Sequence, residues 1–393
     1  MSTQRTTALT RRGLLSALPV AAGAVALGAA PATAAGPAAG SSGRGHALSI
    51  RGADISFTPQ LEAAGITFSD GGHVRPIEHI LRANGANWIR LRLWVNPPAG
   101  YSDIASVIEM TRRAKRSGLK VLLDFHYSDF WADPAHQTIP AAWRGQDLAA
   151  LAETVRSYTR TSLEQIEAAG GRVDMVQVGN EITAGMLWPI GKLYGSGAPK
   201  WKEFTTLLKA GIAGVHDSTA TGARIPTMLH IDRGGRMDHT RWFFDNVLAE
   251  GVEFDVIGQS YYPFWHGSFA DLSANLTDSA ERYGRDVVLV ETAYPWTLEN
   301  GDGLENFIYR PSQLPDGGRF PASPEGQAAY FEALRAVLVG IPGGRGLGFF
   351  AWEPEWLPGV GWAPGEGNPN DNLTMFDRSG AALPALRAFR PAR

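Results

Sequence analysis

The chain has 393 residues, of which 44% are hydrophobic, 10% aromatic and 19% charged, a globular composition with ample apolar material for a core. A formal net charge of −3 is close to balance and points neither to nucleic acid nor to an anionic membrane as a partner. With no cysteine, the chain has no disulfides, thiolate metal ligands or thiol nucleophile.

The first 45 residues read as an address rather than as fold. Arg5, Arg11 and Arg12 precede an uncharged run over 13–30, and Ala32-Thr33-Ala34 supplies a small-x-small cleavage site. Pro19 and the Ala/Gly content make that run a poor membrane anchor, and no later stretch reaches the ~20 apolar residues of a transmembrane helix. The stretch TRRGLL at 10–15 is similar to a twin-arginine export signal, which carries folded proteins and suits a chain that needs no disulfide. The general secretory route is the alternative. The expected organisation is an export signal over 1–34, a Gly/Ser/Ala linker over 35–47 and a catalytic domain over 48–393, giving a secreted product.

From residue 48 on, short apolar runs alternate with longer amphipathic stretches. The spacing predicts strands over 49–56, 87–94, 120–126, 175–181, 226–232, 255–262, 286–293 and 346–354. Between them, helices are predicted over segments that include 103–117, 147–168, 201–216, 239–248 and 324–338, with Gly118, Gly170 and Gly251 placed as stops. This alternation, with no second block left over, predicts a single-domain α/β fold, the (β/α)8 TIM barrel. A doubly wound open sheet would show a glycine-rich phosphate turn after the first strand, where this chain has Asp54-Ile55-Ser56-Phe57.

Active sites of such barrels lie at the C-terminal ends of the strands. Polar residues gather at those ends here: Arg90, Arg92 and Trp94 on the second strand, Asp124 and His126 on the third, Asn180 and Glu181 on the fourth. His230 and Asp232 follow on the fifth, Tyr261 and Tyr262 on the sixth, Glu291 on the seventh, Trp352 and Glu353 on the eighth. Glu181 and Glu291 each end an otherwise apolar run, VQVGNE and VVLVE. A buried carboxylate is either paired or working, so each alone also reads as a structural salt bridge to Arg90 or Arg92. Together, on strands four and seven, they are the pair of carboxyls that glycoside hydrolysis uses. A strand-two arginine near Glu291, Arg90 or Arg92, would keep that carboxylate ionised, as a nucleophile needs. Glu181, in a less charged setting, would hold a proton and act as acid/base, with Asn180 beside it for a sugar 2-hydroxyl.

These motifs carry a resemblance. GNEI and VVLVETAYPW look like the strand-four and strand-seven motifs of the retaining barrel glycosidases. RGADIS, NWIRLRLWVNP, DFHYSDFWADPAHQ, GNEITAGMLWP, SYYPFW and AWEPEW resemble, more specifically, the arabinogalactan endo-β-1,4-galactanases of glycoside hydrolase family 53, over nearly all of the chain after residue 49. The resemblance implies hydrolysis of β-1,4-galactosidic bonds in pectic galactan by double displacement, without a cofactor for catalysis. It implies Arg90 as support for the nucleophile, with Arg92 the second choice. His126 and Tyr262 become partners of the cleaved sugar, and Trp352 an apolar floor under a galactose ring. Trp94 and Trp131 are assigned to neighbouring subsites, with loop packing the alternative for Trp131 and Trp265.

Residues 300–306 space oxygen side chains across glycines in the manner of a calcium loop, without the final glutamate of an EF-hand. The resemblance implies a structural calcium between the loops after strands seven and eight. Its ligands would come from Asn300, Asp302, the Leu304 carbonyl, Asn306, Asn368 and Asp371, with Asn300 standing where an Asp is expected. A solvated loop is the alternative. Another endo-β-1,4-glycanase of the same clan, a mannanase or xylanase, is the rival function; the expected partner is a polysaccharide, and the expected state a monomer.

Overall fold

A computed structural model describes residues 47–97, 101–195, 197–218, 222–315 and 318–391. The export signal expected over 1–34 and all but the last residue of the expected linker lie outside them. Eight parallel strands close into a barrel. They are β1 (Ile50–Asp54), β2 (Trp88–Leu93), β3 (Lys120–Phe125), β4 (Met175–Val178), β5 (Thr227–Ile231), β6 (Val256–Ser260), β7 (Asp286–Thr292) and β8 (Gly346–Trp352), with β8 pairing β1 to close the ring. Every predicted strand is present, each trimmed by a few residues.

Helices α1 (Thr58–Ala63) and α2 (Ile77–Ala83) follow β1. Then come α3 (Ile104–Arg116), α4 (Leu148–Ala168), α5 (Trp201–Asp217), α6 (Met237–Ala249), α7 (Phe269–Tyr283) and α8 (Pro324–Val339), one after each of the next six strands. Asp103 and Asp147 cap α3 and α4 by accepting the backbone N–H of Ser106 and Ala150, which is why the sequence pattern started one residue early. No helix among the described residues is long and apolar enough to cross a membrane.

The strand alternation divides side chains between the barrel lumen and the helical layer. In the lower lumen Ile50, Trp88, Leu122, Met175, Met228, Val256, Val288, Val290 and Phe350 form an apolar plug. Gly52 faces Phe350 across the β1–β8 pairing, and a Cβ there would sit 2.3 Å from the Phe350 ring, so only glycine leaves room for that ring inside the barrel. One pleat higher, the lumen turns polar: Asp54, Arg90, Asp124, Gln177 and His230 are all buried. That floor positions the site.

Candidate active site

Neither glutamate reaches the lumen by regular strand geometry. On β7, Val288 and Val290 point into the plug and Thr292 points outward, its hydroxyl 2.9 Å from that of Tyr330 on α8. Strict alternation would therefore turn Glu291 toward the helices. A register shift between β6 and β7, where Gln259 pairs Leu289 but Ser260 pairs Glu291, inserts a bulge that turns Glu291 inward. β4 stops at Val178, shorter than the predicted 175–181, because Gly179 takes φ +86° and breaks the ladder. Glu181 follows in the left-handed region (φ 47°, ψ 49°), which is unfavourable for a side chain with a Cβ. Tyr127 and Glu353, just past β3 and β8, also have positive φ. Irregular backbone thus concentrates at the mouth of the barrel.

Arg90 is the hub beneath the two glutamates. Its Nη1 donates to Asp54 Oδ2 (2.7 Å), its Nη2 to Asp124 Oδ2 (2.9 Å) and Asn180 Oδ1 (2.8 Å), and its Nε to Gln177 Oε1 (3.1 Å). Nη2 also lies 3.0 Å from Glu291 Oε1, and the Tyr262 hydroxyl donates to Glu291 Oε2 (3.1 Å). Burial works against the Arg90 charge, but Asp124, Glu291 and Asp54 outweigh it and raise the guanidinium pKa further. Arg92 does not join this hub: it pairs with Glu353 and lies over the rings of Phe57, Trp94 and Trp131.

Both glutamates are pushed up. Burial is the main cause for Glu181, reinforced by Glu291 and Asp232 and opposed by the Ser260 hydroxyl, and it moves that carboxyl well above its ordinary range. Burial also lifts Glu291, to about 7, against Arg90 and the Tyr262 hydroxyl. The expectation that Arg90 would hold Glu291 low is not met: burial outweighs the guanidinium, which Asp124 and Asp54 also share. Of the two, Glu291 is the one in contact with a cation, Arg90. A carboxylate oxygen of Glu181 lies within 4.8 Å of one on Glu291.

His126 donates from Nε2 to Asp124 (3.0 Å), while its Nδ1 accepts the Trp94 indole N–H (3.1 Å) and the Ala132 N–H (3.0 Å). Trp94 departs from its expected place: it is 1% exposed and braces His126 from behind, with no ring face open to a ligand. Trp352 is partly exposed and sits edge-on to Tyr262, at 6.4 Å and 89°. Trp131 stacks on Trp362 (4.4 Å, 18°), and Trp265, 47% exposed, leans on Tyr262 at 5.3 Å. Trp362 was not singled out from the sequence. Nor were Gln177 and Ser260, and His230 was noted only as a strand-end residue. The available signal for Gln177 was a single amide inside an apolar strand, MVQV.

The loops after β7 and β8 do meet. Gly301 N–H donates to Asp371 Oδ2 (2.6 Å), Asn368 N–H to Asp302 Oδ2 (2.6 Å) and Asn306 Nδ2 to Asp371 Oδ1 (2.8 Å). Asn300 Nδ2 donates to the Leu304 carbonyl (2.7 Å).

The family model described as "Glycosyl hydrolase family 53" matches residues 50–389. The chain belongs to glycosyl hydrolase family 53. It is 43% identical to an uncharacterised protein of the bgaB 5′ region of Niallia circulans over 87% of this chain and 93% of that one. It is 37% identical to an arabinogalactan endo-β-1,4-galactanase of Humicola insolens, over 87% and 99%. Among solved structures, the GH53 catalytic domain of Ignisphaera aggregans superposes with a TM-score of 0.82 at 38% identity, over 87% and 95%. This family 53 protein is therefore a glycoside hydrolase on a (β/α)8 barrel.

Proposed function

We propose that this glycoside hydrolase is a secreted endo-β-1,4-galactanase that cleaves pectic galactan with retention, Glu291 as nucleophile and Glu181 as acid/base. The observation that carries the reading is the pair of carboxyls within 4.8 Å of each other, of which only Glu291 is held by a cation. A retaining pair needs carboxyls ~5–5.5 Å apart, whereas an inverting enzyme leaves ~6.5–9.5 Å for a water. The Arg90 and Tyr262 contacts favour the ionised form of Glu291, and the proton on Glu181 is available to the leaving oxygen. In the second step Glu181, now ionised, takes the proton of the attacking water.

In this reading His126, Asn180 and Tyr262 line the sugar in which the bond is cleaved. Asn180 keeps one N–H free after donating to the Ala132 carbonyl. Trp352 offers its exposed face to a galactose ring. The galactanase names among the relatives support β-1,4-galactan over mannan or xylan. Reducing-sugar release from linear β-1,4-galactan, mannan and xylan tests this directly, and equal or faster cleavage of either of the latter would discard the substrate. The roles are tested with azide. Glu181→Ala still forms a glycosyl-enzyme on substrates with good leaving groups and gives β-galactosyl azide, whereas Glu291→Ala gives the α-azide. The reverse pattern would exchange the roles.

A structural calcium fits the residues that join the β7 and β8 loops. The carboxylates of Asp302 and Asp371 repel one another across the loop, and the buried Asn306 Oδ1 has no hydrogen-bond partner. Asp302, Asp371, Asn306, Asn368, the Leu304 carbonyl and Asn300 would hold the ion as hard oxygen ligands, tying the loops together without entering the chemistry. Export by the twin-arginine route is part of the same proposal. Replacing Arg11 and Arg12 by Lys blocks secretion if that route is used and leaves it unchanged if the general route is.

A further inference from the structure

Resting on the reading of Glu181 as acid/base, a further role emerges from two buried residues behind it. Ser260, the last residue of β6, has its Oγ 2.8 Å from Glu181 Oε1 and 2.8 Å from His230 Nε2. On its other side, His230 Nδ1 lies 3.3 Å from the backbone N of Glu181 and 3.0 Å from Gln177 Nε2. Ser260 and His230 are both 0% exposed, so each bond in this chain is made within the protein.

The direction of the chain follows from its fixed ends. A backbone N–H can only donate, and the Glu181 N–H has His230 Nδ1 as its acceptor. The Gln177 amide is oriented by Arg90, whose Nε–H donates to Gln177 Oε1, so Gln177 presents its NH2 to His230. Two donors therefore face Nδ1. Asn180 Oδ1, 3.0 Å from the same nitrogen, already accepts from Arg90. Burial first, then Arg90 and His126, keep the imidazole neutral. A neutral ring with a lone pair on Nδ1 carries its hydrogen on Nε2. That N–H donates to Ser260 Oγ, and the serine hydrogen is left to point at Glu181 Oε1.

We infer that His230 and Ser260 form a one-way donor relay that keeps Glu181 Oε1 as an acceptor and so places the transferable proton on Oε2. They are positioning residues, since neither needs to touch the sugar. In the first step the relay leaves a single oxygen able to protonate the leaving group. In the second it holds the same oxygen free to accept the proton of water. It also moderates an otherwise unfavourable setting: the groups facing the Glu181 carboxyl are Glu291 from β7, Asp232 after β5, Asp133 after β3 and Tyr262 after β6, while Ser260 is the hydrogen-bond donor to it among the described residues.

The test combines a pH profile with a direct view of the imidazole. Ser260→Ala removes the donor, so Glu181 holds its proton more tightly and the alkaline limb of kcat/KM on galactan moves up by about one pH unit. His230→Ala gives the same displacement, because the serine hydrogen is then free to turn away. His230→Gln places an N–H where the ring nitrogen was and restores the wild-type limb. A merely structural role would lower Tm and kcat while leaving the limb in place, and that result overturns the relay. Nitrogen-15 NMR of histidine-labelled wild type, with His230→Gln for assignment, is expected to show a protonated Nε2 and bare Nδ1. A protonated Nδ1 would reverse the direction and discard the inference. Failure of wild type to cleave galactan would sink the substrate reading instead, and the NMR result would still decide the relay.

Discussion

The lower and upper halves of the barrel lumen are built from the same strands, one pleat apart, and obey opposite rules. Below, Ile50, Leu122, Met228, Val288 and Phe350 interdigitate as an apolar plug. Above, Asp54, Arg90, Asp124, Gln177, His230 and Glu291 share one buried cation among three carboxylates, and the two glutamates arrive through a bulge and a left-handed residue. The plug gains stability from every methylene it buries. The mouth gives some up, since like charges are crowded and the Glu181 backbone is strained at roughly 1–3 kcal/mol. Stability and chemistry are thus separated by a single pleat along a strand, as from Leu122 to Asp124 or from Met228 to His230.

Variants of the two halves break this separation if it is wrong. Glu291→Ala is expected to lower kcat/KM by ~10^4-fold or more, as loss of a covalent nucleophile does, with Tm unchanged or raised because a crowded carboxylate is gone. A large fall in Tm would mean that the mouth carries the fold as well. Phe350→Ala makes the opposite change. It opens a cavity beside Gly52 and Trp88 and costs about 3–5 kcal/mol in denaturant unfolding, while kcat/KM of the folded enzyme stays near wild type. Loss of activity without loss of stability there would contradict the division.

The calcium loop sharpens the comparison, because it would stabilise the mouth from outside. An ion that binds only the folded chain adds ~2.7 kcal/mol at a hundredfold excess over its dissociation constant. Wild type should therefore melt higher in calcium than in chelator, and Asp302→Ala should erase the difference. Identical melting of wild type in both conditions would leave a loop closed by hydrogen bonds alone.

The smallest effect is a slope. Burial raises Glu291 to about 7, and burial together with Asp54 raises Glu353 to about 8, each from an ordinary 4.5. A carboxyl with a raised folded-state pKa binds its proton more tightly in the folded chain. Its contribution is complete below the unfolded pKa and is lost as pH rises through the folded value. Unfolding free energy should therefore decline between about pH 4.5 and 8. Glu291→Gln should make that decline shallower, since it removes one such group and relieves Glu181 as well. An unchanged slope would mean that Glu291 is not held protonated in the folded chain.

Much of this was legible in the chain itself. Strands buried on both faces read as continuous apolar runs, so all eight were found, and the glycines after α3, α4 and α6 marked real helix ends with positive φ. Glu181 and Glu291 stood out because a carboxylate ending such a run needs a reason. Trp94 misled, because an indole at a strand end reads alike whether it faces a ligand or, as here, braces a histidine from behind. Ser260 gave no signal at all, being a small hydroxyl in the run VIGQS whose importance comes from two partners far away in sequence.

The sequence by itself determined the barrel, the strand ends that carry polar groups and the two glutamates. These follow from local periodicity and from the cost of burying charge, and both are properties of the residue string. Tertiary structure alone decided that Glu291 turns inward through the β7 bulge, that Arg92 is taken up by Glu353, and that His230 and Ser260 stand behind Glu181. Those outcomes depend on the register between neighbouring strands. A shift of one residue reverses which face a side chain takes, and no run of residues on a single strand records it.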